Sequence, residues 1–236
     1  MGMFKATDNL ALSWLTQPAK WIAYRAPVLS DVSRPRYPYG LEPAQIAWLC
    51  NAITDTAGSS GCIVEVGVAR GMTTTFLAEH MRLSGDRRPY FCVDTFGGFV
   101  ESDVEHEVIV RKKERSAYGA FSYNDVDIFR SNMRKNGYSN VECFVSDASK
   151  FDWSSIPPID VMLLDVDLYI PTLAVLRNSM SRWAGNYRVM VDDVRPGGSW
   201  DGAHQAYYEF AEEAKLATRT IGGKGGIFTS TLGSAT

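Results

Sequence analysis

The chain has 236 residues, 45% of them hydrophobic and 22% charged, enough to bury one substantial core at the size of a single large domain. Its net charge of −3 makes no field that would draw in a polyanion, which argues against an RNA or DNA partner. No stretch approaches the roughly 20 apolar residues a membrane span needs, and Cys50, Cys62, Cys92 and Cys143 lack metal-ligand spacing. A reduced, soluble, cytoplasmic protein with no membrane partner is the expectation.

Residues 1–41 hold Trp14, Trp21, Tyr24, Tyr37 and Tyr39 among scattered prolines and glycines. They read as an N-terminal aromatic arm or lid, and a homo-oligomer in which the arm closes a neighbour's site is one use for it. Met1-Gly2 invites a myristoylation reading, but Ala6 stands where that pattern wants Ser or Thr. From residue 42 onward a single domain is expected. Ile46, Leu49, Cys50 and Ile53 fall at helical spacing over 42–57. Short runs rich in Val and aromatics then follow at 62–66, 90–94, 141–145, 161–165 and 187–193, without the strict alternation of a half-exposed strand. Helices fit between them at about 71–83, 124–136, 171–183 and 202–216, and "ATRTIGG" and "GGIFTST" around Lys224 read as a terminal antiparallel hairpin. The pattern predicts a doubly wound α/β fold: a mostly parallel seven-stranded sheet with helices on both faces. The connection over 95–123 is too long for an ordinary loop and reads as a lid insertion.

In such a sheet, ligands bind outside the carboxyl ends of the strands. The first strand runs into "EVGVARG", where Gly67 permits a tight turn and Gly71 lets the next helix begin close to a ligand. This is not the Gly-x-Gly-x-x-Gly fingerprint of a dinucleotide site. The second strand ends in Asp94, placed to accept hydrogen bonds from ribose hydroxyls, and the third is followed by Asp147 and Ala148, beside which an adenine amino group would fit. Each acid alone is more often a cap or turn former. The fourth strand breaks off in "DVMLLDVDLYIPT": Asp165 and Asp167 stand where an apolar run ought to continue, so the chain leaves the sheet at a site that uses negative charge.

Together "IVEVGVARGMTT", "VDTFGGF", "LLDVDLYIPT" and "VDDV" followed by "GAHQAYYEF" resemble the class I S-adenosylmethionine-dependent methyltransferases. The likeness is greatest to the macrocin O-methyltransferase family, which methylates sugar hydroxyls with a divalent metal. It covers roughly residues 38–230, with departures at Val166, Ile170 and His204. The resemblance implies a Rossmann-like methyltransferase fold with cofactor contacts at Glu65, Gly67, Gly71, Asp94 and Asp147. Val68, Arg70, Thr95, Phe96, Ala148 and Asp165 complete that expected set, and Asp165, Asp192 and Asp193 are implied as metal ligands.

Physical chemistry points the same way. Adjacent parallel strands four and five would bring Asp165, Asp192 and Asp193 to one rim, where clustered carboxylates need a cation or a shared proton. Hard Mg2+ suits oxygen donors, and no His or Cys stands near enough to suggest zinc. The expected reaction is methylation of a hydroxyl on a sugar or glycoside, with a catechol-like aromatic diol second. Asp165 is the expected general base and His204, in the first turn of the last helix, its rival. "RKKER" (111–115), His106, Asp103, Glu105 and Glu107 read by default as solvated or mobile lid charges. A nicotinamide-dependent oxidoreductase lacks its glycine spacing here, and a non-catalytic nucleoside-binding domain would tolerate loss of the three rim acids, all of which are present.

Overall fold

The computed structural model describes residues 10–26 and 36–230, the side chains from residue 17 onward, and the chain divides into two units, residues 1–38 and 39–236. The first unit carries α1 (Leu10–Arg25), with Pro18 inside it and the Arg25 guanidinium 4.3 Å from the Trp21 ring. The irregular arm expected here missed this helix. The helix runs through Pro18. Trp14, as a side chain, and residues 1–6 lie outside the described residues.

The second unit is built on the predicted sheet. Five parallel strands, β1 (Cys62–Val66), β2 (Tyr90–Asp94), β3 (Val141–Val145), β4 (Ile159–Leu164) and β5 (Trp183–Val191), are joined by the hairpin β6 (Arg219–Ile221) and β7 (Gly225–Thr229). The spatial order is β3-β2-β1-β4-β5-β7-β6, with β7 antiparallel to both neighbours. The order reverses between β1 and β4, which puts the switch point where Glu65-Val66-Gly67 leaves the sheet.

Two cores explain why the strand sequences lack a polar face. On one side Cys62, Val64 and Val66 pack with α6 (Tyr169–Ser179) and α7 (Gly202–Ala214) through Leu173, Leu176, Tyr207 and Phe210. On the other, Ile63, Tyr90, Val161 and Leu163 meet α2 (Pro43–Asp55), α3 (Met72–Ser84) and α5 (Val126–Lys135) through Leu49, Leu77 and Phe129. Each such fully buried side chain contributes roughly 1.5–3 kcal/mol of burial free energy. Among the described residues no helix is long and apolar enough to cross a membrane.

Helix α2 begins with a capping box in which Glu42 and Gln45 bond each other's backbone, with Pro43 in the first turn. Gln45 is fully buried and free to extend its amide elsewhere, which matters below. At the amino ends of the strands the buried charges are paired. Arg88 holds Asp86 at 2.6 Å and Asp160 at 3.0 Å and bonds the carbonyls of Ile53 and Thr56. Such matched burial is costly to break from one side only. The carboxyl ends are different.

The 95–123 connection is not a structureless loop. It contains α4 (Glu101–Ile109) and a 3-10 turn over Arg115–Tyr118. The segment 111–114 lies outside both.

Candidate active site

The loop after β1 is wound tightly: Gly67, Ala69 and Gly71 have φ of 83°, 46° and 78°. A Cβ at Gly67 would lie 1.9 Å from the Asp165 carbonyl oxygen, and one at Gly71 would lie 2.6 Å from the Phe129 ring. The tips of β1 and β4 therefore touch backbone to backbone, which only glycine allows. Asp94 fastens this loop. Its Oδ2 accepts the backbone N–H of Val68 (2.7 Å) and Ala69 (3.0 Å), and its Oδ1 accepts that of Phe96 (2.7 Å). A carboxylate fixed by three amides keeps one lone-pair site, on Oδ1, for a ribose hydroxyl, without having to be ordered by it.

The other residues assigned to the cofactor are placed less uniformly. Val68 and Phe96 send their side chains into the core, leaving only backbone at the loop. Arg70 is exposed, and Thr95 donates to the Gly98 carbonyl at 2.6 Å. Glu65 is buried beneath the tip, with one carboxylate oxygen taken by the hydroxyls of Tyr90 (2.5 Å) and Thr74 (2.7 Å). Burial pushes its pKa up to about 7, against the pull of those two bonds. Tyr90 and Thr74 make it a brace between β1, β2 and α3. Asp147 takes the cap role that competes with ligand contact: it accepts the Ser149 N–H at 2.9 Å and pairs with Lys150 at 2.9 Å, while Ala148 is buried in the core. Burial works against the charge on Asp147, but Lys150 and Ser149 outweigh it and hold the carboxyl below its usual range.

Next to the cofactor loop stands an acidic rim. Asp192 directly follows β5 and donates its N–H to the Leu164 carbonyl at 2.9 Å, so Asp165 and Asp192 leave adjacent strands side by side, as expected. Asp167 and Asp193 are held at φ of 63° and 57°, a conformation uncommon outside glycine, which turns both chains sharply at the rim. Burial, and then the charges of Asp192, Asp167 and Asp193, raise the Asp165 pKa well above the carboxylate range. Asp167 is raised well above it too, by burial, by the Asp193 charge and by a hydrogen bond with Asp193. Asp192 rises through burial and Asp193, against the pull of Lys224 and Gln45.

The positive charge at this rim comes from the chain itself. Lys224, in the β6–β7 turn, places Nζ 2.8 Å from Asp192 Oδ2 and 2.9 Å from Asp193 Oδ1. Burial opposes its charge, but the two aspartates outweigh burial and raise its pKa. Gln45 Nε2 donates to the other Asp192 oxygen at 2.7 Å. Among the described residues, no three His, Cys, Asp or Glu side chains are gathered as a metal site. Asp165, Asp192 and Asp193 thus share a rim without closing around one point, because an ammonium occupies the gap between two of them. As donors they remain of the kind hard divalent ions take, all oxygen, and Asp192 and Asp193 are already arranged about a positive charge. Sequence reading missed Lys224, taking it for a hairpin spacer; the signal was a lone Lys in "GGKGG", opposite "VDD".

The segment over 95–123 is clamped by paired charges. Glu107 is fully buried; its Oε1 accepts the backbone N–H of Tyr169 at the start of α6 (2.8 Å) and its Oε2 accepts Arg111 Nε (2.6 Å). A carboxylate there also meets the positive end of the helix dipole. Arg111 and Lys113 both pair with Asp201, and Arg115 pairs with Glu101. This corrects the solvated reading for Arg111, Lys113 and Glu107, while Lys112, Glu114 and Arg115 are exposed as that reading had them; α6 lacks a capping side chain of its own, and Glu107 supplies one. Asp103 is buried as well, its pKa pushed up to about 6 by burial and the Asp147 charge. The His106 ring stacks on Tyr169. Phe99, Tyr118 and Trp200 pack edge and face under the lid, with the Tyr118 hydroxyl on the Ser199 carbonyl at 2.7 Å. His204 stands in the first turn of α7, as predicted, against the Tyr208 ring.

Comparison with known proteins bears on this arrangement. No protein-family model matches the chain. It is 26% identical over 151 residues to the 8-demethyl-8-(2,3-dimethoxy-alpha-L-rhamnosyl)-tetracenomycin-C 4'-O-methyltransferase of Streptomyces olivaceus. That match takes in 62% of this chain and spans only 58% of the relative. The structure of the calicheamicin methyltransferase CalS11 superposes with a TM-score of 0.64 at 18% identity, over 94% of this chain and 93% of that one. The O-methyltransferase NovP gives 0.60 at 18% identity, over 79% and 78%. The chain has the methyltransferase fold. The doubly wound sheet read from the strand pattern, and the resemblance read from the strand-tip motifs, are both met by these comparisons.

Proposed function

We propose that the chain is an S-adenosylmethionine-dependent O-methyltransferase that uses Mg2+ and acts on a hydroxyl of a sugar or glycoside. The observation that carries this reading is the contact of Gly67 with the Asp165 carbonyl, which joins the Asp94-fastened loop to the acidic rim. A site for a nucleoside and a site for a proton acceptor thereby share one edge. Support for the acceptor class comes from the relatives: the Streptomyces olivaceus enzyme is named for a rhamnosyl group, and CalS11 is called a TDP-rhamnose 3'-O-methyltransferase.

Bound at this edge, the donor would supply an already activated methyl group and the metal a positive charge that lowers the pKa of a neighbouring hydroxyl. The chain's residues do the rest. Asp94 holds the ribose, and the loop amides of Val68 and Ala69 stay fixed by its carboxylate. Asp165, Asp192 and Asp193 would hold the metal once Lys224 swings away. Asp165, side by side with Asp192 at the strand tips, takes the hydroxyl proton. His204 is the rival for that role. The clamped lid, with Glu107 on Tyr169 and Trp200 under Tyr118, walls the acceptor side and keeps water from the edge.

The test is methyl transfer from labelled donor into a panel of rhamnosides, other glycosides and catechols, with Mg2+ and with EDTA. Incorporation into a glycoside that stops in EDTA and returns with Mg2+ is expected. Equal turnover in EDTA would remove the metal, and transfer to catechols alone would remove the sugar.

A further inference from the structure

The rim acids are crowded beyond what one lysine neutralises, and that lysine bonds two of them, Asp192 and Asp193. Asp192 has both oxygens engaged, one by Gln45 and one by Lys224, and the same ammonium reaches Asp193. Lys224 can do so because its turn is pinned: the Val194 N–H donates to the Lys224 carbonyl at 2.7 Å, and the Gly223 N–H donates to Glu42 at 2.6 Å. Its backbone is thus tied on both sides of the residue, while its side chain has four rotatable bonds with which to leave. We propose that Lys224 is a built-in counter-cation that competes with the divalent metal for Asp192 and Asp193, and so sets how tightly the site binds metal. The inference rests on the metal-dependent reading above.

A metal and an ammonium cannot share these oxygens at contact distance without strong repulsion, so binding one displaces the other. The side chain that leaves is carried by the hairpin turn, which gives the β6–β7 turn a role in metal loading.

Mn2+ binding, followed by loss of the free-ion EPR signal, tests this without reference to turnover. Lys224→Met is expected to bind Mn2+ about tenfold or more tightly than the wild type, and Lys224→Arg, which keeps the charge, to stay within about threefold of it. In the wild-type protein, adding Mg2+ is expected to move the Lys224 side-chain NMR signals to those of a solvated lysine. This second measurement stands even if Lys224→Met fails to fold. If wild type and Lys224→Met bind Mn2+ equally, or Mg2+ binds while the Lys224 signals stay put, the competition is refuted and the metal site survives. If neither protein binds Mn2+, both fall.

Discussion

Gly67→Ala is expected to destabilise the fold by about 3 kcal/mol or more and to abolish cofactor binding. The added Cβ would fall 1.9 Å from the Asp165 carbonyl oxygen, a backbone atom that cannot rotate aside. It would also have to adopt a φ of 83°, which costs an L-residue roughly 1–2 kcal/mol. The only relief is to part the tips of β1 and β4, and that moves the Asp94-bound amides and the acidic rim together. Against a total stability of roughly 5–15 kcal/mol, the loss is visible in any denaturation curve. Gly185→Ala is the control: its Cβ meets nothing within 4 Å, and a change under about 1 kcal/mol is expected. Equal midpoints for the two variants would mean that the strand tips are not in contact.

Asp165→Asn is expected to lower the methyl-transfer rate by about 10²–10⁴ while leaving S-adenosylhomocysteine affinity within a few-fold. The amide is isosteric and removes a charge that burial and the Asp192, Asp167 and Asp193 charges all disfavour, so folding should not suffer. What it removes is a charged donor to the proposed metal and the ability to accept a proton at the rim. Single-turnover rates alongside calorimetry separate the effects, and parallel loss of rate and affinity would make Asp165 a cofactor residue rather than a base. His204→Asn in the same assay, if it alone abolished transfer, would hand the role to the rival.

The strands were legible because parallel strands covered on both faces show as short Val-rich runs, and the tips because a carboxylate breaking such a run has few structural uses. Asp165 and Asp192 could be placed on one rim from adjacency alone, and β4 and β5 do pair. Side-chain direction was not legible. Glu65 alternates with Val64 and Val66 on a five-residue strand, and nothing in "CIVEV" says that Tyr90 and Thr74 wait on the inner side. Asp147 satisfies both a cap pattern and a ligand pattern, and the structure shows the cap. Gln45 and Glu107 left no signal in the sequence, and Lys224 left only the lone Lys of "GGKGG". Each acts across a long separation, 32 residues from Lys224 to Asp192, 147 from Gln45 to Asp192 and 62 from Glu107 to Tyr169, and periodicity carries no information at that range.

Calorimetric titration with S-adenosylhomocysteine tests the central claim most directly, that the Asp94-fastened loop beside the acidic rim is a nucleoside site for a methyl donor. The wild-type protein should bind it, NAD should give no heat, and Asp94→Ala should weaken binding by about tenfold or more. Tight binding of NAD, no heat with S-adenosylhomocysteine, or affinity untouched by Asp94→Ala would contradict the account.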